Sequence, residues 1–196
     1  METPLKTETL AVAPGVVVVP VRLDDAAALA TLVTENAHHL RTFMPKVVGL
    51  DSLPVCQGYL QGVLDAGEAG TLLEWHIVAN DRLCGAIRLN HIELDNHKAA
   101  IGYYIGEKYQ GRGLASLSVR AVLQFAFERL GFNRIHLQCA SDNVPSQRVA
   151  ERLGFAWEGL LRQAELVDGV YLDHFVYGML RDEFAAQVVT RIMQAA

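Results

Sequence analysis

The stretch EKYQGRGLAS, residues 107–116, sets two glycines around an arginine, between an apolar run of strand character and an apolar run of helix character. A strand that ends in a glycine turn and opens a helix leaves the first amides of that helix without partners inside it. Those N–H groups and the helix dipole attract an anion, and a pyrophosphate suits them well. Glycine adopts positive φ and carries no Cβ, so phosphate oxygens can approach the main chain. In this stretch the amides from Gly111 through Gly113, Leu114, Ala115 and Ser116 take that part, with Arg112 adding charge at the rim. A Gly-x-Gly by itself serves a plain strand-to-helix turn equally well. It is also shorter than a dinucleotide-binding fingerprint and lacks the Gly-Lys-Ser/Thr ending of a nucleotide P-loop.

Working outward, three strand-like runs precede it: TLLEWHIVAN (71–80), RLCGAIRLNHIEL (82–94) and AAIGYYIGE (99–107). The pieces between them, ND at 80–81 and DNHK at 95–98, read as hairpin turns. Further upstream, residues 1–14 form a loose leader with Pro4 and Pro14, and VVVVPVRL (16–23) reads as a strand. DDAAALATLVTENAHHL (24–40) is a helix with two aspartates at its positive end, 41–54 a connection, and 55–70 a second helix weakened by glycine. Downstream, LASLSVRAVLQFAFERL (114–130) repeats apolar residues every three to four positions, and Gly131 ends it. RIHLQCA (134–140) alternates as a strand. Asn143 caps a short helix with Pro145 in its first turn and Gly154 at its end. Two closing strands, 155–166 and 170–180, flank VDG (167–169), and residues 181–196 read as a C-terminal helix. The pattern is a mixed, largely antiparallel α/β sheet flanked by helices, in one domain spanning 1–196.

Composition narrows the function. The chain has 196 residues, 51% hydrophobic and 20% charged, which is ordinary for a globular protein. A net charge of −5 argues against a nucleic-acid surface, and no apolar run is long enough to span a membrane. Three scattered cysteines, Cys56, Cys84 and Cys139, indicate neither a disulfide framework nor a zinc site, and the expected compartment is the cytoplasm. His38, His39 and DNHK lack partners at ligand spacing, so no metal is expected.

QGRGLA fits the Gln/Arg-x-x-Gly-x-Gly/Ala pattern of the GNAT superfamily of acyl-CoA-dependent N-acyltransferases, through Gln110, Gly113 and Ala115. About thirty residues on, NVPSQRVAERLGF resembles the second conserved segment of that superfamily, with Asn143, Ser146, Gly154 and Phe155 in register. The surroundings, from HKAAIGYYIGEKYQGRGLAS to WEGLLRQAELVDGVYLDHFVYGML, look more specifically like the ribosomal-protein N-acetyltransferases of RimL and RimJ type.

That resemblance implies a sheet with two splayed strands, a coenzyme A pyrophosphate on the glycine turn, and a pantetheine arm pairing with backbone near Tyr104 and Ile105. It implies that Asn143 contacts the arm, that Ser146 protonates the departing sulfur, and that Glu165 in RQAEL is the base. Glu158 is the second choice for that role. Gly169, Tyr171 and Asp173 fit the family's Gly-x-Tyr-x-Asp pattern, and with His174 they belong to the acceptor side or to strand packing. Trp75 and Trp157 are expected in the core or on a cleft wall. The reaction implied is acetyl transfer from acetyl-CoA to a primary amine, such as a protein N-terminus. Small-molecule amines, longer acyl groups and a non-catalytic coenzyme-A-binding module are the alternatives. Phe43 stands where the family has tryptophan, and Lys46 follows the proline of that segment. The last strand and the apolar tail also suit a homodimer.

Overall fold

Period-two alternation and the turns that interrupt it lay out the sheet seen in the computed structural model, which describes residues 5–195, with side chains through residue 190. Eight strands follow in chain order: β1 (Leu10–Ala13), β2 (Val16–Pro20), β3 (Leu73–Ala79), β4 (Arg82–Glu93), β5 (Lys98–Ile105), β6 (Arg134–Ala140), β7 (Ala156–Val167) and β8 (Val170–Leu180). Six α-helices join them: α1 (Ala26–Arg41), α2 (Pro45–Val48), α3 (Leu53–Glu68), α4 (Leu114–Glu128), α5 (Val144–Leu153) and α6 (Arg181–Ala195). The strands lie in one sheet in the order β1-β2-β3-β4-β5-β6-β8-β7. Every neighbouring pair is antiparallel except β5 and β6, which are parallel and connected through α4.

The two faces of the sheet carry different loads. On one, Trp75, Ile87, Leu89, Ile101, Ile135, Leu137 and Met179 pack with Val119, Val122, Leu123 and Phe125 of α4 in the main core. Trp75 is fully buried, meets Phe125 edge-on with ring centroids 5.8 Å apart, and donates its indole N–H to the Glu8 carbonyl at 3.0 Å. A smaller core of Val21, Leu29, Val33, Cys56 and Leu60 lies with α1 and α3. Burying such side chains is worth about 1.5–3 kcal/mol each, and they supply most of the stabilisation.

Two sequence expectations are corrected. Residues 10–13, read as leader, form β1, because Pro14 and Gly15 (φ 72°) make a tight turn that lays them on β2. Residues 1–4 of that leader lie outside the described residues. Trp157 is on neither the core nor the cleft wall: it stands 61% exposed on β7, the edge strand. The connection at 41–54 also contains the short helix α2, started by Pro45.

At Gly85 of β4, a Cβ would overlap the Tyr104 carbonyl oxygen and sit 3.1 Å from the Ile105 Cα. Both obstacles are backbone, so nothing flexible can yield. Gly85→Ala should therefore cost about 1–3 kcal/mol of stability, as overpacking does, measured by urea denaturation.

Candidate active site

The parallel pairing of β5 with β6 runs from Lys98 opposite Arg134 to Ile101 opposite Leu137 and stops there. Beyond it β5 continues to Ile105 against β4 alone, and β6 continues to Ala140 against β8 alone. The inner edges of Gly102–Ile105 and of Gln138–Ala140 therefore border a wedge. Unpaired edge groups of this kind accept another extended chain by strand-type hydrogen bonding. The wedge opens into a cleft of about 1140 Å³ whose lining includes Tyr103, Tyr104, Ile105, Gln110, Gly111, Gly113, Leu114, Ala115, Ser116, Asn143, Ser146, Glu165 and His174.

At one end of the cleft is the glycine turn. Gly111 and Gly113 have φ of 70° and 76°, which a residue with a Cβ adopts only with strain. Leu117 N donates to Gly113 O at 3.0 Å as α4 begins, so the amides of Leu114, Ala115 and Ser116 have no acceptor within the helix. The loop is held from α1. Buried Asn36 accepts from the Glu107 amide at 2.7 Å while its own amide donates to Leu32 O at 2.7 Å. Lys108 pairs with Glu35 at 2.5 Å. Gln110 lies 2.6 Å from His39 Nε2 and donates to Ile105 O at 3.4 Å, so its side chain braces the turn. Arg112 is exposed at the rim and does not line the cleft.

In the middle of the cleft is the start of α5. The Asn143 side-chain oxygen accepts from the Ser146 amide at 3.2 Å as an N-cap. The Ser146 hydroxyl lies 3.1 Å from the phenol of Tyr103, on the opposite wall of the wedge. Burial pushes the Tyr103 phenol up to about 12 despite its bond to Ser146, so it remains a neutral hydroxyl near neutral pH. Burial likewise raises the Cys139 thiol, which Ser146 partly offsets. Arg148 and Arg152 project from α5 beside the cleft, and Arg152 reaches Ser116 Oγ at 3.5 Å.

The part of the lining that carries Glu165 and His174 is built by a bulge. Leu161 opposes His174 and Glu165 opposes Leu172, so residues 162–164 of β7 face Asp173 alone. Gln163 has φ 53°, unusual for a residue other than glycine, and its amide donates to the Asp173 carboxylate at 2.7 Å. The bulge sets Glu165 diagonally across from His174, with Oε2 3.3 Å from Nε2. Glu158, the alternative base, lies outside the cleft lining. Arg134 clasps it with two hydrogen bonds, one of 2.6 Å, and holds its carboxyl below the usual range.

The sequence reading missed Tyr103, Arg148, Arg152 and Asn36. The two arginines were legible in part, since Pro145, Arg148, Val149 and Arg152 fall on one face of a helix at i, i+3, i+4, i+7 spacing. Tyr103 and Asn36 act across 43 and 71 residues, respectively, with no local signal. Among the described residues no group of three or more His, Cys, Asp or Glu is arranged to hold a metal ion.

Residues 16–156, which carry this wedge and glycine turn, match the profile of the acetyltransferase (GNAT) domain. The chain belongs to the GNAT acetyltransferase family. It is 30% identical to the ribosomal-protein-serine acetyltransferase of Escherichia coli (strain K12) over 90% of this chain and 98% of that one. It is 34% identical to YdaF of Bacillus subtilis (strain 168), an N-acetyltransferase by name, over 59% of this chain. The chain spans 63% of the length of YdaF. Among solved structures, RimL, a ribosomal L7/L12 alpha-N-protein acetyltransferase in complex with coenzyme A, superposes with a TM-score of 0.86 at 28% identity. That match covers 90% of this chain and 99% of RimL.

Removing the cap isolates the role of Asn143 in the fold. Asn143→Ala should cost about 1 kcal/mol and Asn143→Asp, which also caps, much less, read by thermal denaturation.

Proposed function

We propose that this chain transfers an acyl group, acetyl in the first instance, from acyl-coenzyme A to a primary amine by direct attack. One observation carries the reading: the cleft at the β5–β6 wedge is lined at once by the αL glycines Gly111 and Gly113, by Ser146 and by the carboxylate of Glu165. The dimensions of function follow that line. The amides of Gly111 to Ser116, with Arg112 at the rim, suit a pyrophosphate, and Gln110 braces their loop. The open edge at Tyr104 and Ile105 suits the amides of a pantetheine arm, beside Asn143. The thioester supplies an activated acyl group when bound.

The remaining work falls to side chains. An attacking amine must be neutral and must shed a proton; α-amino groups have pKa near ~8 and lysine amines near ~10.4, so an α-amine needs far less help. Glu165 is the carboxylate on which proton removal depends, directly or through an intervening group. Ser146 donates toward the sulfur as charge develops there, and its partner Tyr103 fixes the direction of that hydroxyl. We take the acceptor to be a protein N-terminal α-amine, on the strength of the E. coli relative and the RimL structure, whose names specify ribosomal-protein substrates. The free, buried state of Cys56, Cys84 and Cys139 is in keeping with a cytoplasmic site of action.

The test is a thiol-release assay with acetyl-CoA. The acceptors are peptides with N-terminal Ser or Ala, peptides with lysine side chains, polyamines and aminoglycosides. Turnover should favour an N-terminal peptide, and Glu165→Gln should lower kcat/KM about 10²-fold or more while coenzyme A affinity by calorimetry holds. Coenzyme A binding without turnover of any acceptor would point to a binding module instead. Preference for a polyamine or aminoglycoside would overturn the acceptor assignment alone.

A further inference from the structure

Glu165 faces the cleft as half of a pair. Its Oε2 lies 3.3 Å from His174 Nε2, and the imidazole is 14% exposed against 32% for the carboxylate. We propose that His174 is a second catalytic group: the proton leaving the attacking amine is taken by its imidazole, which Glu165 holds and electrostatically supports. The proposal rests on the amine-acylation reading above and names the group that stands between Glu165 and the amine.

The geometry gives three reasons. Facing a carboxylate, a neutral imidazole places its proton on Nε2, which leaves the lone pair of Nδ1 free to accept another. Nε2 is the ring nitrogen that approaches the Glu165 carboxylate, as an ion-pair contact. Both residues line the cleft, and the fold commits unusual backbone to bringing them together. Residues 162–164 bulge from β7, Gln163 sits at φ 53°, and Asp173 bonds the Gln163 amide at 2.7 Å to hold the bulge. Without it, continued pairing from Leu161 would shift Glu165 out of register with Leu172. Sparsely populated backbone of this kind persists where the surroundings impose it, often at functional sites.

Chemistry favours the imidazole as the receiving group. A carboxylate titrates near ~4.3 and an imidazole near ~6.5, and general bases work best when their pKa lies close to the operating pH. In the step, the amine nitrogen forms a bond to the acyl carbon and loses one proton to Nδ1. The C–S bond breaks with its electron pair going to sulfur, which is protonated from the Ser146 side. The imidazolium, paired with the Glu165 carboxylate, then releases its proton to solvent, and the Ser146 hydroxyl regains from solvent the proton passed to sulfur. The products are an amide and a free thiol, with no oxidant or further reactant.

Other ionisable groups border the same cleft: His39 from α1, Lys46 from α2, Tyr59 from α3, Arg88, His91 and Glu93 from β4, Tyr103 and Tyr104 from β5, Tyr109 from the glycine loop, His136 and Cys139 from β6, and Arg148 and Arg152 from α5. Asp173, the neighbour of His174 in β8, is engaged by the Gln163 amide. Among the described ion pairs, His174 has Glu165 as its partner.

The test measures kcat/KM against pH, expressed per neutral amine, for wild type, His174→Gln, His174→Asn, Glu165→Gln and the double variant His174→Gln/Glu165→Gln. In wild type the acid limb should coincide with the titration of His174 followed by NMR of imidazole-labelled protein. His174→Gln should lower kcat/KM about 10²-fold and abolish that limb, with coenzyme A affinity kept. The double variant should lose little more than either single one, as groups acting as a unit do. A wild-type limb that does not track the His174 titration overturns the proposal, even if the variants fail to fold. So does a His174→Gln enzyme that keeps the limb and its rate, which leaves Glu165 as base and the proposed function intact. A wild type that acylates no amine sinks the functional reading, and this inference with it.

Discussion

The divergence of β5 from β6 after the pairing of Ile101 with Leu137 is the constraint on which the site depends. A parallel pair joined through a helix would ordinarily stay closed along its length, because every open backbone group forgoes a partner. Here each strand keeps its other neighbour, β4 or β8, so the cost is confined to the inner edges of a few residues. From that opening follow the other placements. β5 delivers the chain into the glycine turn, β6 delivers it to the capped start of α5, and β8, still attached to β6, brings His174 to the cleft. Close passage of β4 against β5 at Gly85 keeps β5 on its own side of the wedge.

Polar groups that a core would exclude gather around this opening. Glu74 is 3% exposed, and burial pushes its carboxyl up even though the Tyr59 hydroxyl bonds both of its oxygens, at 2.8 and 2.7 Å. Tyr59 lines the cleft beside Arg88, whose charge works against the rise. Asn90, another lining residue, has a buried side-chain oxygen without a partner among the described residues. Such groups cost stability when hidden from water, by about 1–3 kcal/mol for each one left unsatisfied. The face packed on α4 holds mostly aliphatic and aromatic side chains, Tyr103 among them, so the buried carboxylate and amide stand on the other face beside the smaller apolar core.

The division also explains what could be read from the sequence. Strands β3 to β8 and helices α1, α3, α4 and α5 announce themselves through local period and punctuation. RIHLQCA and its strand coincide in both limits, and Asn143 caps where its chemistry places it. β1 was hidden because LAVA has weak strand propensity and follows a proline-bearing segment; only its partner β2 makes it a strand. Among the site residues, Gly111, Gly113, Asn143, Ser146 and Glu165 stand out through motif or cap. Tyr103 and Asn36 do not, since their roles exist only once distant elements meet. The bulge at 162–164 was equally unreadable: RQAEL alternates plausibly in either register, and only Asp173 across the hairpin decides.

The glycine turn and α1 form one mechanical piece. Glu35, Asn36 and His39, on adjacent turns of α1, reach Lys108, the Glu107 amide and Gln110 of the loop, respectively. Asn36 can sit so close because Gly106 has no side chain, its position lying 3.1 Å from the Asn36 amide nitrogen if a Cβ were added. The last turn of the same helix carries His39 and Leu40, which line the cleft, and the chain then leads through Phe43 and Met44 into α2. The glycine turn and this part of the cleft wall therefore share a support, and a displacement imposed on one must either move the other or break these contacts. Packed elements have few intermediate positions, so the support favours a site that is preformed at both ends. That rigidity suits a reaction in which an amine, a thioester and a proton acceptor must be aligned together, because misplacing any one of them forfeits the advantage of holding the other two.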